Sequence, residues 1–228
     1  MTFDNTYGGA RALVLGGTGA IGAAVVDRLG RSMAVETLSR THNGFDITNE
    51  RSVETWAAQI NNGLRVIIDA TGALEIEGIA PEKTIRAIDP EAMLEQFKLN
   101  ALGPALVLKH FVPLLEQNGP VVFASLSARV GSIGDNRIGG WISYRAAKAA
   151  LNQIIHTSAI EIARKRPGAR VIAYHPGTVQ SELTRKYLGK HASVTPEEAA
   201  ENMVRVLGGL QAENTGRFFD WCGDEVPW

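Results

Sequence analysis

The sequence predicts an α/β chain with a doubly wound, mostly parallel sheet, and three observations carry that expectation. Short β-branched runs alternate with helical patterns, a glycine run separates the first strand from the first helix, and no repeat, linker or low-complexity tract divides the 228 residues. Near-continuous apolar strands belong to a parallel sheet covered on both faces. We therefore expect one domain over residues 1–228, with a seven-stranded sheet of which six strands are located.

Residues 12–15 form the first strand, and residues 20–29 a helix that stops at Gly30. Residues 35–38 are the second strand, followed by a helix over 49–60 that Thr48 or Asn49 caps and Asn62-Gly63 ends. The third strand, 66–69, is bounded by Thr71-Gly72, and Pro90 then opens a long helical region that Pro104 bends and Pro113 ends. Residues 121–124 form a central strand, 141–166 a helix with small residues on one side, and 170–174 the next strand. A helix over 196–207 is entered at Thr195, and residues 216–221 give the last strand. Parallel strands joined by right-handed crossovers place a ligand crevice beyond their carboxyl ends.

Composition narrows the chemistry. With 45% apolar residues, 21% charged residues and a formal net charge of -1, the chain offers no basic field for nucleic acid. Its only cysteine is Cys222, so it has no internal disulfide and no multi-cysteine metal site. No cationic leader and no apolar run long enough for a bilayer is read, so a cytoplasmic protein without a membrane partner is expected.

The run Gly16-Gly17-Thr18-Gly19-Ala20-Ile21-Gly22 follows the first strand directly and opens a helix. In that setting Gly16 permits the turn, Gly19 lets the backbone approach a pyrophosphate, Gly22 lets helix and strand pack closely, and the helix N-terminus offers free N–H groups. Thr18, Ala20 and Ile21 complete the cradle of a Rossmann-type site. At the end of the second strand no carboxylate stands ready for ribose hydroxyls. Ser39-Arg40 instead offers a hydroxyl and a guanidinium suited to a 2′-phosphate, so NADP(H) is favoured over NAD(H), with a solvated Arg40 as the plain alternative. Asp46, beside Ile47, either meets the adenine amino group or caps a helix.

Tyr144 and Lys148 are four apart, which on a helix puts them on one face about 5–6 Å apart at Cβ. A free phenol titrates near pH 10, so a fixed cation beside it eases loss of its proton. His175 and His191 have no metal-ligand spacing, and no metal is expected.

Taken in order, these residues resemble the short-chain dehydrogenase/reductase family over nearly the whole chain. The matching segments are the glycines at 16, 19 and 22, the segment Asp69-Ala70-Thr71-Gly72, Asn100, a serine after the central strand, Tyr144 with Lys148, and His175-Pro176-Gly177-Thr178-Val179. Gly131-Ser132-Ile133-Gly134-Asp135-Asn136 and Gly139-Gly140-Trp141 resemble the C-factor and carbonyl-reductase branch. The resemblance implies hydride transfer between NADP(H) and a carbonyl or alcohol carbon of a small substrate. Tyr144 would be the general acid/base, Lys148 would hold the nicotinamide ribose, a serine would orient the substrate oxygen, and Asn100 would anchor a relay water. Ala70, Thr71 and Gly72 would line the cofactor, and Pro176, Gly177 and Val179 would face its nicotinamide, with Val179 reading the carboxamide. A nucleotide-binding sensor of the same fold with little turnover is the alternative.

Two departures from the family pattern follow. The usual catalytic serine position holds Ala128, so Ser127 is expected to serve, provided the strand has ended before it; Ser125 and Ser132 are the neighbours. The middle glycine also stands one position early, with Ala20 in its usual place. Asp69, where an amide is usual, is expected to accept backbone N–H groups of the neighbouring strand. Residues 182–191 read as a short lid. The tryptophan-bearing stretch 221–228 suggests either a subunit contact, hence a homo-oligomer (dimer or tetramer), or packing on its own core.

Overall fold

A computed structural model describes residues 2–182, 184 and 192–228 of the chain. In chain order its elements are α1 (Phe3–Tyr7), β1 (Arg11–Leu15), α2 (Ala20–Gly30), β2 (Ala34–Leu38), α3 (Arg40–Asn43), α4 (Glu50–Ala57) and β3 (Leu64–Asp69). There follow α5 (Pro90–Phe97), α6 (Gly103–Phe111), β4 (Val121–Leu126), α7 (Ile142–Lys165), β5 (Ala169–His175), α8 (Pro196–Gly209) and β6 (Phe218–Asp220).

The strands pair in the order β2-β1-β3-β4-β5-β6, and every pairing is parallel. From β1 the chain steps outward to β2 and then returns across to β3, so the strand order reverses between β1 and β3. That is where a doubly wound sheet opens its crevice.

Alternation along the strands feeds two apolar layers. Leu13, Leu15, Ile67, Phe123 and Val171 pack with Val107, Phe111, Leu151 and Ile155 of α6 and α7 on one face. Ala12, Val14, Ile68, Val122 and Ile172 pack with Val25, Leu29, Met203 and Leu207 of α2 and α8 on the other. Every one of these sheet residues is fully buried, and each large aliphatic among them contributes about 1.5–3 kcal/mol.

The sheet has six strands among the described residues, not seven. Parallel strands need a crossover of about a dozen residues, usually a helix. After β2 the four-residue α3 and Gly44 lead on to α4, with no strand between them. The apolar residues Phe45 and Ile47 enter the core directly, and Asn49 caps α4 through Ser52 N–H. Pro104 causes no break, because it stands at the start of α6, where its missing N–H costs nothing. A π-helical stretch, Lys98–Leu102, stands just before it.

Residues 226–228 pack on their own chain. Val226 is buried, the Trp228 ring stacks on Phe218 at 6.1 Å, and the Trp228 carbonyl accepts from Gly134 N–H at 2.7 Å.

Candidate active site

The glycine turn, residues 70–72, Ser127 and residues 176–179 follow the carboxyl ends of β1, β3, β4 and β5, while Asn100 lies in the π-helical stretch and Tyr144 and Lys148 on α7. Gly16 has φ 79°, and a Cβ there would lie 2.8 Å from the Ala70 carbonyl oxygen, so the turn after β1 presses against the turn after β3. At Gly22 a Cβ would lie 2.1 Å from the Gly16 oxygen, so only glycine lets α2 approach β1 this closely. Gly19 caps α2 in extended geometry, leaving the first-turn N–H groups of Ala20, Ile21 and Gly22 at the mouth of the crevice. Thr18 shares a 2.9 Å hydroxyl contact with Thr41, which joins the glycine turn to α3. Thr41 gave no signal in the sequence, being a plain polar residue after the strand.

Beyond β2, Ser39 and Arg40 part company. Ser39 is buried, and its hydroxyl caps α3 by accepting from His42 N–H at 3.3 Å, whereas Arg40 is exposed. Asp46 neither caps a helix nor stands free: its Oδ1 accepts from Thr48 N–H at 2.9 Å and from the Thr48 hydroxyl at 2.7 Å. Ile47 is buried against Gly103.

On α7, Tyr144 and Lys148 share a face and are both buried, with the Lys148 ammonium 5.9 Å from the centre of the Tyr144 ring. That is cation–π range. Lys148 Nζ also donates to the Leu126 carbonyl at 2.9 Å. Gly131 is pressed on the lysine stem, since a Cβ there would lie 2.8 Å from Lys148 Cβ. Burial pulls the Lys148 pKa down to about 8, and the Asp69 carboxylate opposes that fall. The expectation of an acidified phenol is corrected: burial dominates and raises the Tyr144 pKa well above its ordinary value. In this crevice the phenol is a held proton, not a phenolate.

Gly72, with φ 117°, brings the loop after β3 against both partners: a Cβ there would lie 2.8 Å from Asn100 Oδ1 and 3.2 Å from Lys148 Nζ. Asn100 is fully buried in the π-helical stretch. Its Nδ2 donates to the Ala73 carbonyl at 3.0 Å and to Gln96 Oε1 at 2.8 Å, and its Oδ1 accepts from Ala73 N–H at 3.2 Å. One amide hydrogen therefore goes to the loop after β3 and the other to Gln96 on α5. Gln96, buried on α5, also donates to the Leu74 carbonyl at 2.9 Å. An inward-facing glutamine in an amphipathic helix was the signal that could have found it.

Asp69 is also corrected. Its Oδ2 accepts from the Ser125 hydroxyl on β4 at 2.8 Å, and its Oδ1 accepts from Thr71 N–H at 3.1 Å, so it fixes its own loop and not the backbone of the neighbouring strand.

The premise of the serine expectation holds, since β4 ends at Leu126 and Ser127 follows it. Ser127 N–H makes the closing ladder bond of that strand, to the Tyr174 carbonyl at 2.8 Å. The Ser127 side chain stays inside and donates to Asn152 Oδ1 on α7 at 2.6 Å. Ser125 is spent on Asp69, and Ser132 donates to the Pro227 carbonyl.

After β5, Gly177 has φ 79° and lies against Trp221, where a Cβ would meet the ring at 2.9 Å. Pro176 and Val179 are buried, and the Val179 carbonyl accepts from the Thr184 hydroxyl. Most of the expected lid, residues 183 and 185–191, lies outside the described residues, as does His191. Elsewhere, Asp220, Cys222 and Asp224 bring ligand atoms within 4.8 Å, but Asp220 Oδ1 already accepts from the N–H groups of Cys222 and Asp224.

His175 faces Asp220 in the β5–β6 register, and its Nδ1 finds no hydrogen-bond partner among the described residues. Burial lowers its pKa to about 4 from 6.5. The unfolded chain therefore takes up this proton first as pH falls. The stabilisation from the neutral ring is complete above pH 6.5 and is lost through about pH 4. Denaturant unfolding of wild type and His175→Asn is expected to show a shallower fall for the variant in that window. Parallel curves would remove His175 as the cause.

With this geometry in hand, comparison with known proteins decides the family. A family model described as enoyl-(acyl carrier protein) reductase matches residues 9–215. The chain belongs to the short-chain dehydrogenase/reductase family. Among short-chain dehydrogenase/reductase relatives, it is 32% identical over 185 residues to the 1-hydroxy-2-glutathionyl-2-methyl-3-butene dehydrogenase of Rhodococcus sp. strain AD45, covering 81% of this chain and 79% of that one. It is 37% identical over 142 residues to the C-signal of Myxococcus xanthus, covering 62% and 81%. A solved short-chain dehydrogenase/reductase fold, the NADPH-bound carbonyl reductase from chicken fatty liver, superposes with a TM-score of 0.82 at 24% identity, over 96% of this chain and 99% of that one.

Proposed function

We propose that the chain is an NADP(H)-dependent oxidoreductase that transfers hydride between the nicotinamide and a carbonyl or alcohol carbon of a small substrate, with Tyr144 as general acid/base. One observation carries this: the buried Tyr144 phenol and the buried Lys148 ammonium meet in one crevice, 5.9 Å apart from ring centre to nitrogen. Such a pair is expensive for a protein that only packs its core, because each group resists burial.

The chemistry of the residues around the crevice suits a dinucleotide. The glycine turn at Gly16, Gly19 and Gly22 and the start of α2 would hold the pyrophosphate, Arg40 the 2′-phosphate, and Gly72, Gly177 and Lys148 the nicotinamide end. When bound, NADPH supplies the hydride. Tyr144, kept protonated by burial, donates its proton to the substrate oxygen, and the Lys148 cation then stabilises the phenolate left behind. At neutral pH Lys148 is mostly charged, since its pKa is about 8. NADP-bound and NADPH-bound neighbours of the same fold favour that cofactor. Exchange of Arg40 for Ala is expected to weaken NADPH binding about 10–100-fold and to leave NADH binding nearly unchanged, as a lost charge-assisted bond would. Equal losses for both cofactors in a fluorescence titration would assign Arg40 to solvent.

Several assembly and location readings accompany this. No helix among the described residues is long and apolar enough to cross a membrane, which suits a cytoplasmic enzyme. Leu94 and Leu102, 67% and 50% exposed around α5, favour a homo-oligomer.

A second reading, a nucleotide sensor with little turnover, draws on the serine: the Ser127 hydroxyl donates its hydrogen bond to Asn152 while Ala128 holds the usual position. NADPH oxidation measured against a panel of ketones and aldehydes separates the two. Turnover supports the oxidoreductase; tight NADPH binding without any turnover supports the sensor.

A further inference from the structure

The helix that carries Tyr144 has an unusual entrance. Gly139, Gly140 and Trp141 take φ values of 69°, 67° and 52° in succession, and Trp141 is the N-cap of α7 with no side-chain cap bond of its own. A tryptophan in left-handed geometry persists only where its surroundings hold it. The missing cap comes from the loop between β3 and α5. Glu82 Oε1 accepts from Ser143 N–H at 2.7 Å and from the Ser143 hydroxyl at 2.6 Å, while the Glu82 main-chain carbonyl accepts from Trp141 N–H at 2.6 Å. Ser143 and Tyr144 are adjacent, and the Trp141 ring meets the Tyr144 ring edge-on at 6.4 Å. Arg145 secures the other side of the turn through the carbonyls of Gly140 and Gly139 at 2.9 and 3.2 Å.

We propose that Glu82 is a positioning residue for Tyr144: by capping α7 from a distant loop, it fixes the left-handed entry at Trp141 and with it the place of the phenol. This rests on the catalytic reading of Tyr144 given above. Glu82 has no part in the cofactor cradle, so its effect falls on turnover and not on NADPH affinity.

What matters is where the acceptor oxygen stands, not its charge, and two variants separate these. Glu82→Gln keeps an oxygen at the same reach, whereas Glu82→Asp keeps the charge and withdraws it by one methylene. Glu82→Gln is expected to hold kcat within about threefold of wild type, and Glu82→Asp to lose about tenfold or more, each with KM for NADPH within about twofold. A Glu82→Asp enzyme with wild-type kcat, or one that loses thermal stability without losing turnover, would make the cap merely structural and overturn the proposal. A crystal structure of Glu82→Asp supplies the arm that needs no activity. The proposal expects the Tyr144 ring to be displaced with the 139–143 turn, and superimposable rings would refute it even if wild type turned over no carbonyl at all.

Discussion

Tyr144→Phe is expected to bind NADPH within about twofold of wild type and to lose about 10²–10⁴ in kcat, the range typical of a removed general acid. The ring is buried and packs edge-on against Trp141 and under the Lys148 ammonium, and Phe preserves both contacts while deleting the one exchangeable proton. Fold and stability are therefore spared. Loss of turnover together with loss of cofactor binding would mean that the phenol holds a ligand, not a reacting proton.

Lys148→Met is expected to lose turnover by a comparable factor and, unlike most substitutions, to stabilise the protein near pH 7. Burial holds the lysine pKa at about 8 against 10.5, so the native state bears the cost of a charge that the unfolded chain carries freely. Met fills similar space without that charge. The Leu126 carbonyl loses its donor, which offsets part of the gain and leaves on the order of 1–2 kcal/mol. The pH dependence gives the sign. Below about pH 8 the cost is fully present. Between pH 8 and 10.5 the native lysine sheds its proton before the unfolded one, so wild-type stability rises relative to the variant and the gap closes. The buried tyrosines Tyr7, Tyr144 and Tyr174 titrate high in both proteins and oppose the rise above about pH 10, so the comparison is the difference between the two unfolding curves. A gap that stays constant from pH 7 to 10 would show that desolvation of Lys148 is not its source.

Sequence reached furthest where one residue type is the only physical solution. Gly16 and Gly22 face oxygens at distances that exclude any Cβ, and the apolar runs of β1, β3, β4 and β5 could only be buried on both faces, so cradle and sheet were both legible. Spacing along one helix likewise brought Tyr144 and Lys148 together. Pairing between distant segments was not legible. The strand does end before Ser127, but the group that takes its hydroxyl, Asn152, stands on α7, 25 positions further along the chain. The seventh strand had no segment of the sequence assigned to it, and six strands pair among the described residues. The cap on α7 comes from a residue 61 positions away, beyond any local capping rule. Capping patterns are read within a turn, and Glu82 is not in that turn.

The most direct test uses NADPH carrying deuterium at both C4 positions, with a carbonyl compound that supports turnover. Wild type is expected to place one deuterium on the carbinol carbon of the product, seen by mass spectrometry, while Tyr144→Phe forms product at a small fraction of that rate. Unlabelled product, or labelled product formed as fast without the Tyr144 hydroxyl, would contradict hydride transfer completed by that phenol.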